Sequence, residues 1–448
     1  MPDNAVAAAR TDSSYGADIL AVGFGTSVAM WTLGYICRFP PGNVPSWILL
    51  GLLLACLVAG GFVAGRYTDR SWRGGLYTGL LAAVLNLLVL GSLLSGSQPN
   101  QIVPSALWWL PGSLLISALL GTVGGWLGHR AKIRTELSSG LATTLSRNAV
   151  SVFATVAASA TFLLLVAGGI VTSNEAGLAV VDWPNSYGYN MFLYPLSRMS
   201  GGIYYEHVHR LLGSLVGLTI LVLTIHLQRF DQRRWVRGFA LAALAMVIIQ
   251  GILGGLRVTG GFTMSSSPAE TSPNLTLAMI HGVIGQLFFG MVVSLAVFTS
   301  RRWQDGCEPE IRPAAATDRS LSVILFVLLS IQLVLGAILR HMAGGLLVHI
   351  SMAVIVILFA IAVGVRVWAQ YQHIPTLRRL GNLLAILITV QLALGLAALI
   401  VTGTGSPAGE PGTADVILTT AHQACGAILL ACSVALMLWL HRLVKPAA

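Results

Sequence analysis

The sequence predicts an all-α polytopic membrane protein of about twelve transmembrane helices, the last eight forming two pseudo-symmetric four-helix bundles. Three observations predict it: a charge-poor composition, twelve apolar runs of spanning length, and a helix-pair motif recurring along the second part of the chain. Of 448 residues, 55% are hydrophobic and 9% charged, and mean hydropathy is +0.79. A soluble domain carries roughly a quarter charged residues, so this composition belongs in lipid.

A hydrocarbon core needs about 20 apolar residues per helix. Runs of that kind lie near 18–37, 46–66, 75–95, 105–128, 149–172, 203–228, 236–256, 274–299, 319–339, 345–368, 379–402 and 415–440. The first lacks a basic leader and a small-residue cleavage site, which predicts a retained span rather than a signal peptide. The formal net charge of +10 is a topology signal and not a nucleic-acid footprint. With the N-terminus in the cytoplasm, every lysine and arginine except Arg38, Arg198, Arg210, Arg257 and Arg340 falls on the cytoplasmic side. Basic residues favour that side of a membrane, so both termini are expected there. The five cysteines form no framework. Cys425 and Cys432, for example, are separated by about 10 Å of helix, too far for a disulfide.

A polar, basic stretch, "HRAKIRTELSSGLATTLSRN" (129–148), divides the chain. It sets the expected domains as 1–145, a four-helix extension of unassigned function, then 146–305 and 306–448, each a four-helix half. The extension reads as an accessory or docking module. After the divider, even-numbered helices carry "HRLLG" (209–213), "HGVIG" (281–285), "HISMA" (349–353) and "HQACG" (422–426). Odd-numbered helices answer with "QGILGGLR" (250–257), "QLVLGAILR" (332–340) and "QLALG" (391–395), while 149–172 keeps the glycine without the glutamine. The repeating unit is therefore a helix pair, present four times.

His209, His281, His349 and His422 all sit a turn or two inside the outer end of their helices. An unpaired imidazole at that depth is costly, so each needs a partner or a ligand. Facing histidines in a four-helix bundle are suited to clamp the iron of a flat macrocycle from both sides. The small residue at i+4 shares the histidine's face and is expected to leave room for a porphyrin edge. Hydrogen bonding across helices is the plain alternative, and zinc lacks a supporting cysteine or carboxylate pair at ligand spacing.

The stretch "YYEHVHRLLG" (204–213) adds a carboxylate. His207 and His209 point about 200° apart on a helix, and only His209 has the repeat's glycine four residues on. Glu206 shares the face of His209, and Arg210 is spaced to pair with Glu206. Arg257 and Arg340 follow the glutamine–glycine motif at outer helix ends. They are candidates to receive heme carboxylates, or they snorkel to the interface. His341 stands at the outer edge without the motif, and the remaining histidines read as interfacial.

On "GGIVTSNEAGLAVVDWPNSYG" (168–188), "EHVHRLLGSLVG" (206–217), "QGILGGLRVTGG" (250–261), "HGVIGQLFF" (281–289), "QLVLGAILRHMAGG" (332–345) and "HQACGAI" (422–428), the chain resembles the heme A synthase family. The resemblance covers roughly 149–441, about two thirds of the chain. It implies oxidation of a methyl group of heme O to the formyl group of heme A by two successive hydroxylations, the resulting diol losing water. It further implies heme b held by His349 and His422, substrate heme held by His209 and His281, and Glu206 as catalytic carboxylate. Arg257 and Arg340 are then the candidate propionate contacts. The implied setting is the bacterial inner membrane, with heme sites near the outer face, in support of cytochrome oxidase assembly. Heme O synthase and oxidase assembly factors are the implied partners besides lipid, and a homo-oligomer is left open. The chain departs from the family in "VTSNEAG" (171–177), where many members carry an arginine, in lacking an outer-loop cysteine pair, and in its extension.

By themselves the residues support two hemes between helices and do not choose an enzyme. A diheme b-type electron-transfer protein would need the four histidines and no carboxylate, and a heme carrier is the third reading, though broken helices at mid-membrane are not evident. Glu206 on the ligand face favours chemistry. So does the aromatic loop 173–204, with Trp183, Tyr187, Tyr189 and Tyr194, which is present in the first half only.

Overall fold

The computed structural model describes residues 16–39, 42, 44–96, 98–139, 148–260, 274–306, 308–404 and 411–447. Residues 140–147, which hold the expected boundary at 145, and Cys307 lie outside them. Among the described residues, twelve helices are long and apolar enough to cross a membrane. They are α1 Ala17–Cys37, α2 Ser46–Tyr67, α3 Ser71–Leu93, α4 Ala106–Ser139, α5 Ala149–Ser173 and α6 Gly201–Phe230. The rest are α7 Arg234–Thr259, α8 Leu275–Thr299, α9 Ala315–Met342, α10 Leu346–Gln370, α11 Pro375–Thr404 and α12 Thr413–Leu443. Every expected span is present, and the chain is an all-α integral membrane protein.

Lipid offers backbone groups no partner, so spanning segments satisfy them internally as helix. Buried hydroxyls follow the same rule by donating to the carbonyl one turn back. Thr26 bonds Val22 O at 2.7 Å, Thr219 bonds Leu215 O at 2.7 Å and Ser294 bonds Gly290 O at 2.9 Å. Among the described residues, four two-residue strands lie outside the spans. β1 Asn185–Ser186 pairs antiparallel with β2 Tyr189–Asn190, and β3 Glu310–Ile311 pairs parallel with β4 Val444–Lys445.

The chain divides into two compact units, and α5, α7 and, by its last residue, α8 contribute residues to each. The first comprises Met1–Leu163, Pro184–Leu244 and Thr299–Arg301. Within it α4 lies with its backbone against α2 and α3, because glycines line the contacts at helical spacing. A Cβ on Gly61 would stand 2.2 Å from Gly121 O, one on Gly65 2.0 Å from Gly125 O, and one on Gly75 2.1 Å from Gly121 O. Small residues four apart let membrane helices touch in this way, where lipid supplies no hydrophobic drive between them. Ion pairs fasten the helix ends: Arg70 to Asp18 at 3.0 Å and Lys132 to Asp69 at 3.2 Å.

The second unit comprises Leu164–Trp183, Ala245–Phe298 and Arg302–Ala448. Leu325 of α9, Val356 and Val363 of α10, Leu384 of α11 and Leu436 of α12 form part of its buried core. Helices α10 and α11 meet where Gly364 would place a Cβ 2.9 Å from Gly381 O. Buried Asp318 accepts hydrogen bonds from Arg366 Nε at 2.6 Å and from the Tyr371 hydroxyl. Beyond the spans, His373 at 2.7 Å, and then Arg312, hold the exposed Glu310 carboxyl below its usual range.

Gly121 and Gly112 lie on the same helix but in different surroundings. A Cβ on Gly121 would meet Gly75 O at 2.3 Å, whereas nothing lies within 4 Å of one on Gly112. Gly121→Leu is expected to lower the thermal unfolding midpoint in detergent, overpacking costing about 1–3 kcal/mol. Gly112→Leu is expected to leave the midpoint near that of the parent.

Candidate functional site

The N-terminal end of α6, in the first unit, gathers a polar cluster beneath the β1–β2 hairpin. Tyr187 and Gly188 have φ of 52° and 76°, the conformation of a two-residue turn that matches strand twist. The hairpin folds back onto the helix as a result. Glu206 and Arg210 form a buried ion pair at 2.8 Å, the i,i+4 partnership their spacing predicts. Arg210 also donates through Nη1 to Asn185 O at 2.9 Å. Its guanidinium thus ties the hairpin to the carboxylate.

His207 is fully buried, with Nδ1 3.1 Å from Ser186 Oγ and its ring 5.0 Å from that of Tyr194. Tyr194 in turn packs against Tyr187 and Tyr189, with ring centroids 5.9 and 5.6 Å away. His207 therefore belongs to the hairpin side of α6; of the neighbour and the interface that its angular offset from His209 left open, it meets a neighbour. His209 is half-buried. Nothing described lies within 4 Å of where a Cβ on Gly213 would stand.

In the second unit the repeat acquires a physical meaning. A Cβ on Gly254 would stand 3.3 Å from His281 Cε1, one on Gly336 3.1 Å from His349 Cε1, and one on Gly395 2.9 Å from His422 Cε1. Each imidazole thus rests on the glycine of the preceding helix's glutamine–glycine motif. Gln332 Nε2 lies 3.2 Å from His349 Nδ1 and donates to His349 O at 3.1 Å, and Gln391 Nε2 lies 3.3 Å from His422 Nε2. Reciprocally, a Cβ on Gly285 would stand 3.5 Å from Gln250 Oε1, and one on Gly426 3.3 Å from Gln391 Nε2.

Consecutive antiparallel helices therefore interlock. Residues four apart share a face, and reversed chain directions set His against Gly and Gln against Gly at once. This revises one reading of the sequence. At Gly285 and Gly426 the small residue admits the neighbouring glutamine amide, where a porphyrin edge was expected. Both halves of the motif are legible in the sequence, but not that each half is the other's socket.

His349 and His422 come from α10 and α12 of the same compact unit. His422 Nδ1 is buried with no hydrogen-bond partner among the described residues. Two imidazoles of one compact unit, one with an orphaned ring nitrogen, are a donor set that fits axial ligation of a heme iron. A buried polar atom without a partner otherwise costs about 1–3 kcal/mol.

Arg257 donates to Gly177 O at 3.0 Å and Arg340 to Thr172 O at 2.7 Å. Both therefore fasten the chain as it leaves α5, a role that neither sequence alternative contained. The Trp183 ring lies flat on Gly255, where a Cβ would stand 2.2 Å from it. The adjacent glycines 254 and 255 thus admit an imidazole and an indole. His341 stands beside α8, 4.0 Å from a Cβ on Gly282, with Arg257 and His281 as electrostatic neighbours. It lies closer to the repeat histidines than its place outside the motif suggested.

Residues 151–350 match the family model of COX15-CtaA, described as cytochrome oxidase assembly protein. A protein of Rhizorhabdus wittichii named heme A synthase is 24% identical over 362 residues, 67% of this chain and 95% of that protein. One of the same name from Rhodopseudomonas palustris is 27% identical over 232 residues, 44% of this chain and 58% of the relative. A third, from Listeria monocytogenes, is 27% identical over 142 residues, 32% of this chain and 41% of the relative. The alignments thus span under two thirds of the length of the last two. No solved structure matches the chain.

The Glu206–Arg210 pair is open to a double-mutant cycle. Arg210→Met takes the guanidinium from a buried carboxylate and is expected to cost about 3–5 kcal/mol in unfolding free energy. The Glu206→Gln/Arg210→Met variant is expected to lose less than the sum of the single losses, because neither charge is then left in low dielectric. Strict additivity in detergent unfolding curves would show that the pair does not couple.

Proposed function

We propose that this chain, whose residues 151–350 belong to the COX15-CtaA family of cytochrome oxidase assembly proteins, is a heme A synthase. Its substrate is heme O, and one methyl substituent is oxidised to a formyl group. The carbon passes through a hydroxymethyl group and a geminal diol, each hydroxylation being a two-electron oxidation by an oxidant supplied from outside the chain, and the diol loses water. The observation that carries the reading is the imidazole seated on glycine beside a glutamine, recurring in a chain whose relatives carry that name.

In this reading the half 146–305 holds the substrate heme through His209 and His281, and the half 306–448 holds heme b through His349 and His422. His209 and His281 belong to different compact units, so their pairing rests on the sequence repeat. Heme b, when bound, supplies one-electron redox chemistry. The protein's part is to hold both macrocycles and to place charge where the methyl carbon is oxidised. Glu206 lies one turn from His209 on the same face, buried and fixed by Arg210. A carboxylate held in low dielectric is placed to accept a proton or to stabilise developing positive charge. Arg257 and Arg340 meet the heme carboxylates. A guanidinium carries five N–H donors, so that contact is compatible with fastening the turn after α5.

The proposed setting is the bacterial inner membrane, with both termini cytoplasmic and the heme sites toward the outer face. Heme O synthase and oxidase assembly factors are the proposed partners. Residues 1–145 stand outside the reaction itself.

Glu206→Gln keeps shape and hydrogen-bonding capacity but removes the charge. The variant is expected to fold and retain heme b while heme A yield falls at least about a hundredfold, the loss of a general acid–base group. Heme O or its hydroxylated form is expected to accumulate in extracts resolved by mass. His209→Ala is expected to abolish the yield and His207→Ala to reduce it less. An unchanged heme A yield in Glu206→Gln removes the carboxylate from the mechanism.

Tightly bound heme b gives a separate test. His349→Ala or His422→Ala is expected to remove its low-spin absorption spectrum from the purified protein. A full low-spin heme b spectrum in His422→Ala excludes that ligand.

A further inference from the structure

The N-terminal extension touches the proposed substrate half at several points, all within the first compact unit. At the C-terminal end of α3, Gly91 lies flush against the segment after β2, where a Cβ would stand 2.4 Å from Phe192 O. Ser92 Oγ donates to the same carbonyl at 3.4 Å. In the following turn Asn100 adopts φ of 62° and accepts from Asn190 N at 2.8 Å. Few residues tolerate that conformation, and asparagine is one that does. From the other side, Tyr35 of α1 stacks on Tyr204 at 5.8 Å and its carbonyl accepts from the Tyr204 hydroxyl at 2.9 Å. Phe39 packs on Tyr205 at 5.5 Å.

These contacts join into one path. Asn190, held by Asn100, is the cross-strand partner of Asn185. The Asn185 carbonyl accepts from Arg210, and Arg210 pairs with Glu206. We infer that the four N-terminal helices are a mount for the 185–194 hairpin, and through it set the position of Glu206. Asn100 and Gly91 are positioning residues: they act on the carboxylate through the hairpin and Arg210. An extension that merely anchored the chain in lipid would need none of these bonds to the hairpin. The direct contact at Tyr204, two residues before Glu206, fixes the same helix end independently of the hairpin. The inference rests on the heme A synthase reading for its catalytic consequence, though not for the mounting itself.

The test uses the full chain in lipid nanodiscs, with hydrogen exchange of peptides covering 185–198 read beside heme A yield and heme b content. Asn100→Gly removes the acceptor without straining the positive φ, and Asn100→Asp keeps it. Asn100→Gly is expected to raise exchange in 185–198 about three- to tenfold, the size set by losing one hydrogen bond. Heme A yield is expected to fall with unchanged heme b, and Asn100→Asp to restore both readouts. Gly91→Leu is expected to act in the same direction and further. Unchanged exchange in Asn100→Gly overturns the mount. Raised exchange with full heme A yield overturns its link to Glu206. A parent protein that makes no heme A from heme O, while its hairpin still responds to Asn100→Gly, removes the synthase reading and supports the mount.

Discussion

A side chain or backbone of one helix lying against a glycine of the next is the contact on which this structure depends. Lipid gives packed helices no hydrophobic gain over separated ones, so close van der Waals approach and interhelical hydrogen bonds carry association. In the first unit the approach is backbone to backbone, with α4 against Gly61 and Gly75. In the second it is imidazole to backbone, with His281, His349 and His422 each resting on a glycine of the preceding helix. The same device builds a scaffold in one place and seats ligand-grade side chains in the other.

The seating matters because a histidine inside a membrane is expensive unless its polar atoms are used. Glycine lets the ring settle against a neighbouring helix, and glutamine supplies a polar partner to two of these rings. What remains at His422 is a buried ring nitrogen with no described partner. A ring nitrogen in that condition suits the proposed ligation in a way that a fully satisfied core histidine does not.

The two compact units solve different problems at the polar ends of their helices. In the second, Arg257 and Arg340 hold the chain leaving α5 by its carbonyls, and Trp183 closes onto Gly255. In the first, a hairpin is held between the extension and α6, with Arg210 as the shared clasp. A buried carboxylate between such supports has little freedom to move, the restraint that the proposed action on one carbon needs.

The twelve spans are legible in the sequence alone, because apolar length answers to bilayer thickness and not to neighbours. So are the histidine and glutamine–glycine repeats and the Glu206–Arg210 pairing, since four-residue spacing along one helix fixes what shares a face. Helical periodicity says which residues look outward together but not which helix they meet. That Gly285 and Gly426 receive glutamine amides, that Arg257 and Arg340 bind carbonyls, and that His207 serves the hairpin were therefore decided only by tertiary structure. The extension shows this most plainly. Tyr35, Gly91 and Asn100 match no motif, and they acquire meaning only because the fold brings them against Tyr204, Phe192 and Asn190, about 90 or more residues further along the chain.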